Sequence, residues 1–274
     1  MCRLFGLAAG RRRISASFWL LDAPYSILLQ SHRNPDGAGL GTFDEDGRPR
    51  VEKAPIAAYL NTDFAREAKE RHSCTFLAHL RYGTGTPVAL RNTHPFEMEG
   101  RLCAHNGNVA DLPALKEHLG PDLARVHGDT DSELVFALIT RETLRAGGDV
   151  VEGVSRALSW LADNVPVSAV NLIITSAHEM WAVRWPDTHD LFLIDNRVLS
   201  EPMDRHSSHG MRIRSAELGE HPSVLVASEK LDDSRGWQLI QPGELIHVSA
   251  DLSVTRTRVI DGPPRFPLAP ITHD

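Results

Sequence analysis

The sequence has few cysteines and no long apolar run. Only three of its 274 residues are cysteines, Cys2, Cys74 and Cys103, and none forms a CxxC pair. An odd number of widely spaced cysteines argues against a disulfide framework and against a cysteine zinc site. No stretch reaches the roughly 18 uninterrupted apolar residues of a membrane-spanning helix. These absences predict a protein of the reducing cytoplasm with no membrane partner.

An excess of positive charge is also missing. The chain has 29 basic and 36 acidic residues, a net charge of −7, and no long run of either sign. Nucleic-acid binding is therefore not expected, because it needs a broad basic surface. The apolar residues 4–9 precede three arginines, Arg11, Arg12 and Arg13, which is the reverse of a secretory signal.

The remaining composition is that of an ordinary globular protein, with 42% hydrophobic and 24% charged residues and no internal repeat. A chain of this length buries about 75% of the surface of its unfolded form, so its core needs no disulfide or structural metal. The sequence predicts one domain over residues 1–274. Four prolines between residues 262 and 274 exclude regular structure there and predict an extended terminal strap.

Hydrophobic periodicity predicts clustered strands and helices. Apolar or alternating runs predict strands at 74–82, 101–105, 170–175, 180–185, 191–194, 224–228 and 244–248. A period of 3.6 residues predicts helices at 62–71, 112–119, 132–146 and 150–164. The elements do not alternate strictly as βαβ units, and the last strands are spaced like hairpins. We therefore predict an α+β fold with antiparallel sheets and helices on their outer faces.

Cys2 is the first candidate for chemistry. If the initiator Met1 is removed, Cys2 carries a thiol and a free α-amine in one residue. That amine has a reference pKa of about 7.7 to 8.0, so it can act as the general base for its own thiol near neutral pH. With Met1 attached, the amine is an amide and the base is lost.

Two glycine-containing segments resemble loops that face a ligand. Residues 32–39 end a helical run in turn-forming residues, and they either form a turn into a strand or lie beside a site. They are not a dinucleotide-binding motif, because the third glycine is missing. Arg81 lies in an apolar run that leads into Gly83 and Gly85. A buried arginine needs an anionic partner, which is either a protein carboxylate or the carboxylate of a ligand.

Two further segments have both a structural and a functional interpretation. Asn106-Gly107 is the strongest short signal for a type I′ hairpin turn. Alternatively, the Asn106 amide and the Gly107 N–H bind an oxygen that gains negative charge during acyl transfer. Residues 128–133 read most simply as the capped start of a helix, and they fail as a calcium loop because Leu134 stands at the required glycine position.

The fourteen histidines raise the question of a metal site. They are scattered, and only His206 and His209 lie close together in the sequence, with neither an HExxH nor an HxH pattern. The sequence therefore predicts no metal and no other cofactor.

Several motifs occur together in an order that resembles a known family. They are Cys2, His79-x-Arg81, Asn92-x-His94-Pro95, His105-Asn106-Gly107 and Thr130-Asp131-Ser132-Glu133. Their order and intervals resemble the glutaminase domain of class II glutamine amidotransferases, within the N-terminal nucleophile (Ntn) hydrolase superfamily. The resemblance implies a four-layer αββα sandwich, in which two antiparallel sheets are flanked by helices.

The resemblance also implies roles for individual residues. Cys2 would be the nucleophile, and Asn106 and Gly107 would form the oxyanion hole. For the substrate, Arg81 would hold the α-carboxylate of glutamine or of a γ-glutamyl group, and Asp131 its α-ammonium. Three further residues are implied at the pocket, which are His94, Tyr82 and Thr84, the last near the substrate carboxylate.

The sequence departs from the family in two respects. The Arg-Trp-Ala-Thr-His-Gly stretch of larger members is replaced by residues 81–86, Arg-Tyr-Gly-Thr-Gly-Thr, so the loop over the substrate is shaped differently. After Trp185 too few residues remain for a synthase domain. The resemblance thus implies a standalone member, which is either a glutaminase that supplies ammonia to a separate synthase or a γ-glutamyl amide hydrolase of an ergothioneine-type pathway. A non-catalytic glutamine sensor or docking protein is the alternative, and retention of Met1 would favour it.

Overall fold

The computed structural model describes residues 2–83, 85–197, 205–206, 212–213 and 221–269. Its strands are β1 (Arg3–Ala8), β2 (Gly37–Phe43), β3 (Pro49–Ala54), β4 (Thr75–Arg81), β5 (Phe96–Met98), β6 (Arg101–Val109), β7 (Val167–Thr175), β8 (Met180–Arg184), β9 (Phe192–Asp195), β10 (Arg205–His206), β11 (Arg212–Ile213), β12 (Val224–Ala227), β13 (Gln238–Leu239), β14 (Glu244–Val248) and β15 (Val254–Arg258). Its α-helices are α1 (Ile27–Gln30), α2 (Thr62–Glu70), α3 (Leu112–Leu119), α4 (Asp131–Arg145) and α5 (Val150–Asn164).

The longer helices begin where the sequence places capping residues. In α2, α3, α4 and α5 the side chain of the residue before the helix accepts hydrogen bonds from N–H groups of the first turn; these residues are Asn61, Asp111, Thr130 and Asp149. Such bonds satisfy backbone donors that have no partner inside the helix. The predicted bounds of α3 and α5 are confirmed, and those of α2 and α4 differ by one residue at the ends.

The strands form two large antiparallel sheets. The first has the order β13-β9-β12-β1-β4-β2-β3 and the second the order β15-β14-β8-β7-β6-β5. Strand β1 therefore lies in the middle of its sheet, with β4 on one side and β12 on the other. The two-residue strands β10 and β11 pair with each other.

Three apolar cores separate four layers. Helices α1 and α2 pack on the outer face of the first sheet, and α4 packs on the outer face of the second. The third core lies between the sheets and contains residues of both, including Leu4, Leu77, Leu102 and Ile173. The prediction of an α+β fold with a four-layer αββα sandwich is confirmed.

The sequence analysis missed or misplaced several elements. Strands β1, β2 and β3 were not predicted. Strand β6 was predicted to end at residue 105 but continues to Val109, and Asn106 pairs across the sheet with Asn171. The hairpin-turn interpretation of Asn106-Gly107 is therefore wrong, because pairing with β7 holds this segment extended.

The C-terminal segment runs along the end of α5 and the start of β7. The Arg265 N–H donates to the Ala162 carbonyl at the end of α5, and Leu268 donates to Val167 at the start of β7. Residues 270–274, the end of the predicted strap, lie outside the described residues.

Candidate active site

Strand periodicity brings three of the predicted residues to one end of the layer between the sheets. Alternate residues of a strand face the same side. Leu4 of β1, Leu77 of β4 and Ala104 of β6 face the core between the sheets. Counting in steps of two from these residues, Cys2, Arg81 and Asn106 lie on the same faces, at the ends of the strands where the apolar core stops.

The Cys2 sulfur is held by the backbone that follows β4. The Tyr82 N–H donates to Sγ at 3.3 Å, and the thiol donates to the Tyr82 carbonyl at 3.6 Å. Burial raises the pKa of the Cys2 thiol, against the opposing effects of the Tyr82 hydrogen bond and the Arg81 charge, while the Asp131 charge raises it further. Burial therefore favours the neutral thiol over the thiolate. Both Arg81 and Asp131 are close enough to act on it electrostatically.

Arg81 is a buried cation with an incomplete set of partners. Its Nη2 donates to the Thr86 carbonyl at 3.0 Å and to Thr86 Oγ1 at 2.8 Å. Its Nη1 is buried and has no hydrogen-bond partner among the described residues. No carboxylate of those residues forms an ion pair with this guanidinium. Because none of the described residues supplies a carboxylate to Arg81, a ligand carboxylate is favoured over a protein carboxylate as its partner.

The Asn106 amide lies against Cys2. Its Nδ2 donates to the Cys2 carbonyl at 3.1 Å. On the neighbouring strand β7, the Val170 N–H donates to the Trp185 carbonyl and therefore points towards β8. The opposite residue, Gly107, then forms a non-hydrogen-bonded pair with Val170, and its N–H points away from β7. Strand β5 covers β6 only up to Cys103, so this N–H lies on an open sheet edge.

Position 107 also requires glycine. A Cβ there would lie 1.9 Å from the carbonyl oxygen of Ala169, which is a backbone atom of the central strand β7. Asn106 and Gly107 therefore bring one side-chain N–H and one backbone N–H to the same end of β6. This is the donor arrangement that stabilises an oxyanion.

Asp131 is the first residue of α4 and lies beside the same sheet edge. Its Oδ2 accepts from the Val109 N–H at 2.8 Å, and its Oδ1 accepts from the Ser132 N–H at 2.8 Å. The start of α4 is fixed by the Thr130 side chain, which accepts from the Glu133 N–H at 3.2 Å. A carboxylate has about four lone-pair sites, so Asp131 retains capacity to accept an ammonium group.

The other three predicted pocket residues have different surroundings. Tyr82 reaches the sulfur through its backbone. His94 is buried, and its ring packs against His79 at 4.1 Å and Phe96 at 4.5 Å between ring centres. Burial is the main reason why the pKa of His94 lies well below its usual value. Thr84 lies outside the described residues.

Some residues around the site were not assigned from the sequence. Thr86 belongs to the quoted Gly-Thr-Gly-Thr run, yet only the fold shows that it binds Arg81. Asp36 accepts from the Gly83 N–H at 2.8 Å and so ties the loop after β4 to the turn before β2. Its signal was the Asn-Pro-Asp-Gly turn, which the sequence analysis placed either in a turn or beside a site.

A cavity of about 470 Å³ lies on the β12 side of β1, next to residues that bind Cys2. It is lined by Arg3, Asn106, Phe192 and residues 188–190 and 228–230. Arg3 and Asn106 both donate to the Cys2 carbonyl, at 3.2 and 3.1 Å. The cavity is thus connected to Cys2 through the two residues that bind its carbonyl, on the β12 side of β1, whereas Arg81 lies on the β4 side.

The described residues contain no group of three side chains suited to bind a metal ion. His209 lies outside them, so the His206 and His209 pair is not described. In the same part of the chain, no helix is long and apolar enough to cross a membrane.

These features can be set beside known proteins. The family model of class-II glutamine amidotransferases matches residues 1–261. The protein therefore belongs to the class II glutamine amidotransferases, a family of enzymes with hydrolytic chemistry. In sequence it is 28% identical over 261 residues to the gamma-glutamyl-hercynylcysteine sulfoxide hydrolase of Mycobacterium tuberculosis, which covers 91% of this chain and 93% of the relative.

Other similarities are partial or concern the fold. The glutamine–fructose-6-phosphate aminotransferase of Bradyrhizobium diazoefficiens is 29% identical over 161 residues, which are 59% of this chain but 25% of that enzyme. Among solved structures, the glutamine phosphoribosylpyrophosphate amidotransferase of B. subtilis superimposes with a TM-score of 0.66 at 20% identity, covering 96% of this chain and 50% of that chain. This chain spans about half the length of that protein, and the likeness shows the shared Ntn-type fold.

Proposed function

We propose that this protein hydrolyses the γ-glutamyl amide bond of glutamine or of a larger γ-glutamyl amide, with Cys2 as nucleophile. The observation that carries the proposal is the arrangement around one sulfur atom. Near the Cys2 thiol lie Arg81, a buried cation whose Nη1 has no hydrogen-bond partner among the described residues, and Asp131, a carboxylate at a helix start. An amino acid head group needs such a pair of opposite charges.

The roles of the residues follow from the chemistry of acyl transfer. After removal of Met1, the Cys2 amine takes the thiol proton while Sγ attacks the γ-carbonyl carbon. The carbonyl oxygen becomes an oxyanion and accepts hydrogen bonds from Asn106 and Gly107. Collapse breaks the C–N bond, and the protonated amine of Cys2 returns its proton to the leaving ammonia or amine. Water then attacks the thioester and releases glutamate, and the thiol is restored.

The substrate head group is assigned to two residues. Arg81 Nη1 binds the α-carboxylate, and Asp131 binds the α-ammonium of the glutamyl group. Tyr82 orients the sulfur through its backbone, His94 supports the pocket from the layer between the sheets, and Thr84 lies near the substrate carboxylate. The M. tuberculosis relative supports a γ-glutamyl amide as substrate, since it aligns over nearly its whole length and its name is that of a γ-glutamyl hydrolase.

A glutaminase that supplies a separate synthase is the second candidate. The aminotransferase relative extends far beyond the region matched by this chain. In this candidate the released ammonia is passed to a synthase on a separate polypeptide. A preference for glutamine over every larger γ-glutamyl amide would favour this candidate.

The test is covalent labelling followed by peptide mass mapping. Diazo-oxo-norleucine, a glutamine analogue, should add to residue 2 of a chain that has lost Met1. Cys74 and Cys103 serve as internal controls, because both are buried and should stay unlabelled. Cys2→Ala should abolish both labelling and glutamate release while the far-UV circular dichroism stays unchanged. Wild-type glutamate release from Cys2→Ala would contradict the proposal.

A further inference from the structure

The cavity beside Cys2 lies where the leaving group of the proposed reaction must exit. In the first sheet β1 separates β4 from β12. The proposed glutamyl contacts extend from β4, through Arg81. The cavity is built from the residues after β12 and the loop before β9. An amide bound with its glutamyl part against Arg81 and its carbonyl at Cys2 therefore directs its nitrogen substituent towards the cavity.

The size of the cavity fits more than ammonia. Its volume is about 470 Å³, within the range of about 300–1,000 Å³ that is typical of small-molecule sites. Phe192 supplies an apolar wall, and the remaining lining is polar. An amine that carries a side chain can occupy this space, whereas ammonia is too small to fill it.

Among the described residues that line the cavity, Lys230 is a cation without an ion-pair partner. Arg3 forms an ion pair with Glu229, and Asp190 lies 3.7 Å from Arg184. The ammonium of Lys230 lies 5.3 Å from the centre of the Phe192 ring and has no carboxylate partner among the described residues. The Lys230 ammonium therefore stands beside the apolar wall of the cavity and can accept an anionic partner.

We propose that the cavity, here called the amine-side cavity, binds the leaving amine of the substrate, and that this amine belongs to an α-amino acid or peptide. Its carboxylate pairs with Lys230 and its side chain packs on Phe192. The inference rests on the proposed function and adds the class of leaving group to it. It makes Lys230 a residue that determines specificity without taking part in bond breaking.

The test compares two amides that differ by one carboxylate. γ-Glutamylphenylalanine and γ-glutamylphenethylamide have the same ring and the same scissile bond. The wild-type enzyme should show a kcat/KM about fivefold higher for the first compound at low ionic strength, the size of effect that an exposed ion pair supports. This ratio should decrease as sodium chloride is added, because salt screens exposed charges.

Variants assign the preference to Lys230. Lys230→Met should lower the ratio to about one, and Lys230→Arg should keep it. Lys69→Met removes the same charge from an exposed position in α2 and should leave the wild-type ratio unchanged. Because the ratio compares two substrates within one variant, a general loss of activity does not alter it.

Three results would overturn the inference. They are an equal kcat/KM for the two amides, an unchanged ratio in Lys230→Met, and cleavage of glutamine alone. In all three the Cys2 labelling described above still succeeds, so the proposed function stands. If residue 2 is not labelled and no γ-glutamyl compound is cleaved, the proposed function itself has failed and the inference fails with it.

Discussion

Arg81 shows how much a single residue depends on its surroundings. Its position in an apolar strand already indicated that it needs an anion. The structure uses one end of the guanidinium to hold Thr86 and leaves the other end buried without a partner in the described part of the chain. A cation in this state is stabilised when a carboxylate arrives, which is the physical reason to place the substrate carboxylate there.

Replacing Arg81 with lysine tests this assignment. Lysine keeps the charge but loses the planar fork, in which one nitrogen binds Thr86 and the other is left for a carboxylate. We expect KM for the γ-glutamyl substrate to rise by about tenfold or more, the size of a lost hydrogen bond to a charged group, while kcat falls less. Steady-state kinetics measures both quantities, and an unchanged KM would remove Arg81 from the substrate site.

At the level of elements, the start of α4 fixes Asp131. Thr130 caps the helix, and both oxygens of the Asp131 carboxylate accept backbone N–H groups from Val109 and Ser132. These hydrogen bonds connect the start of α4 to the open edge of β6. A loss of the cap should affect both the stability of the fold and the position of the carboxylate.

We therefore expect Thr130→Ala to lower the free energy of unfolding by about 1 kcal/mol, because a backbone donor at the helix start loses its acceptor. The KM for substrate should rise in the same variant. Thr130→Ser keeps the hydroxyl and should restore both values. Urea unfolding and steady-state kinetics measure the two effects, and an Ala variant that matches the Ser variant in both would contradict this account.

The elements also differ in how well sequence alone predicts them. Helices α3 and α5 have clear periodicity and clear caps, and their bounds were predicted. Strand β1 is buried on both faces over most of its length, so it lacks the alternation that marks a half-exposed strand. Strand β2 has three glycines in seven residues and reads as a turn until its neighbours supply hydrogen bonds on both sides.

At the scale of the whole molecule, buried histidines link stability to pH. Burial lowers the pKa of His79 to about 3 and is also the main cause of the lowered pKa of His94. An unfolded histidine has a pKa near 6.5. Below that pH the unfolded chain binds protons that the folded chain does not. Each such histidine stabilises the fold fully above pH 6.5 and progressively less as the pH falls towards its folded pKa.

We expect the free energy of unfolding to fall between pH 7 and pH 5 by about 2 kcal/mol for each of these two histidines, since one pH unit corresponds to about 1.4 kcal/mol. His94→Phe keeps an uncharged ring against Phe96 and should show a pH dependence smaller by about that amount. Urea unfolding curves at the two pH values measure the difference. A variant with the full wild-type pH dependence would show that His94 is not buried in its neutral form.

The sequence by itself determined the set of chemical groups and their order along the chain. A cysteine at position 2, an arginine in an apolar strand, an Asn-Gly pair and a capped helix start could all be identified from residue type and spacing, because those properties are local. The sequence also determined the α+β class, through the periodicity of the longer elements.

Only the tertiary structure decided what those groups face. Whether Asn106-Gly107 turns or continues as a strand depends on the pairing with β7, and the open edge beside Gly107 depends on where β5 ends. The approach of Phe192 and residues 228–230 to Cys2 depends on strand order across the whole sheet. Such placements bring together residues that are far apart in the sequence, and no local pattern in the chain encodes them.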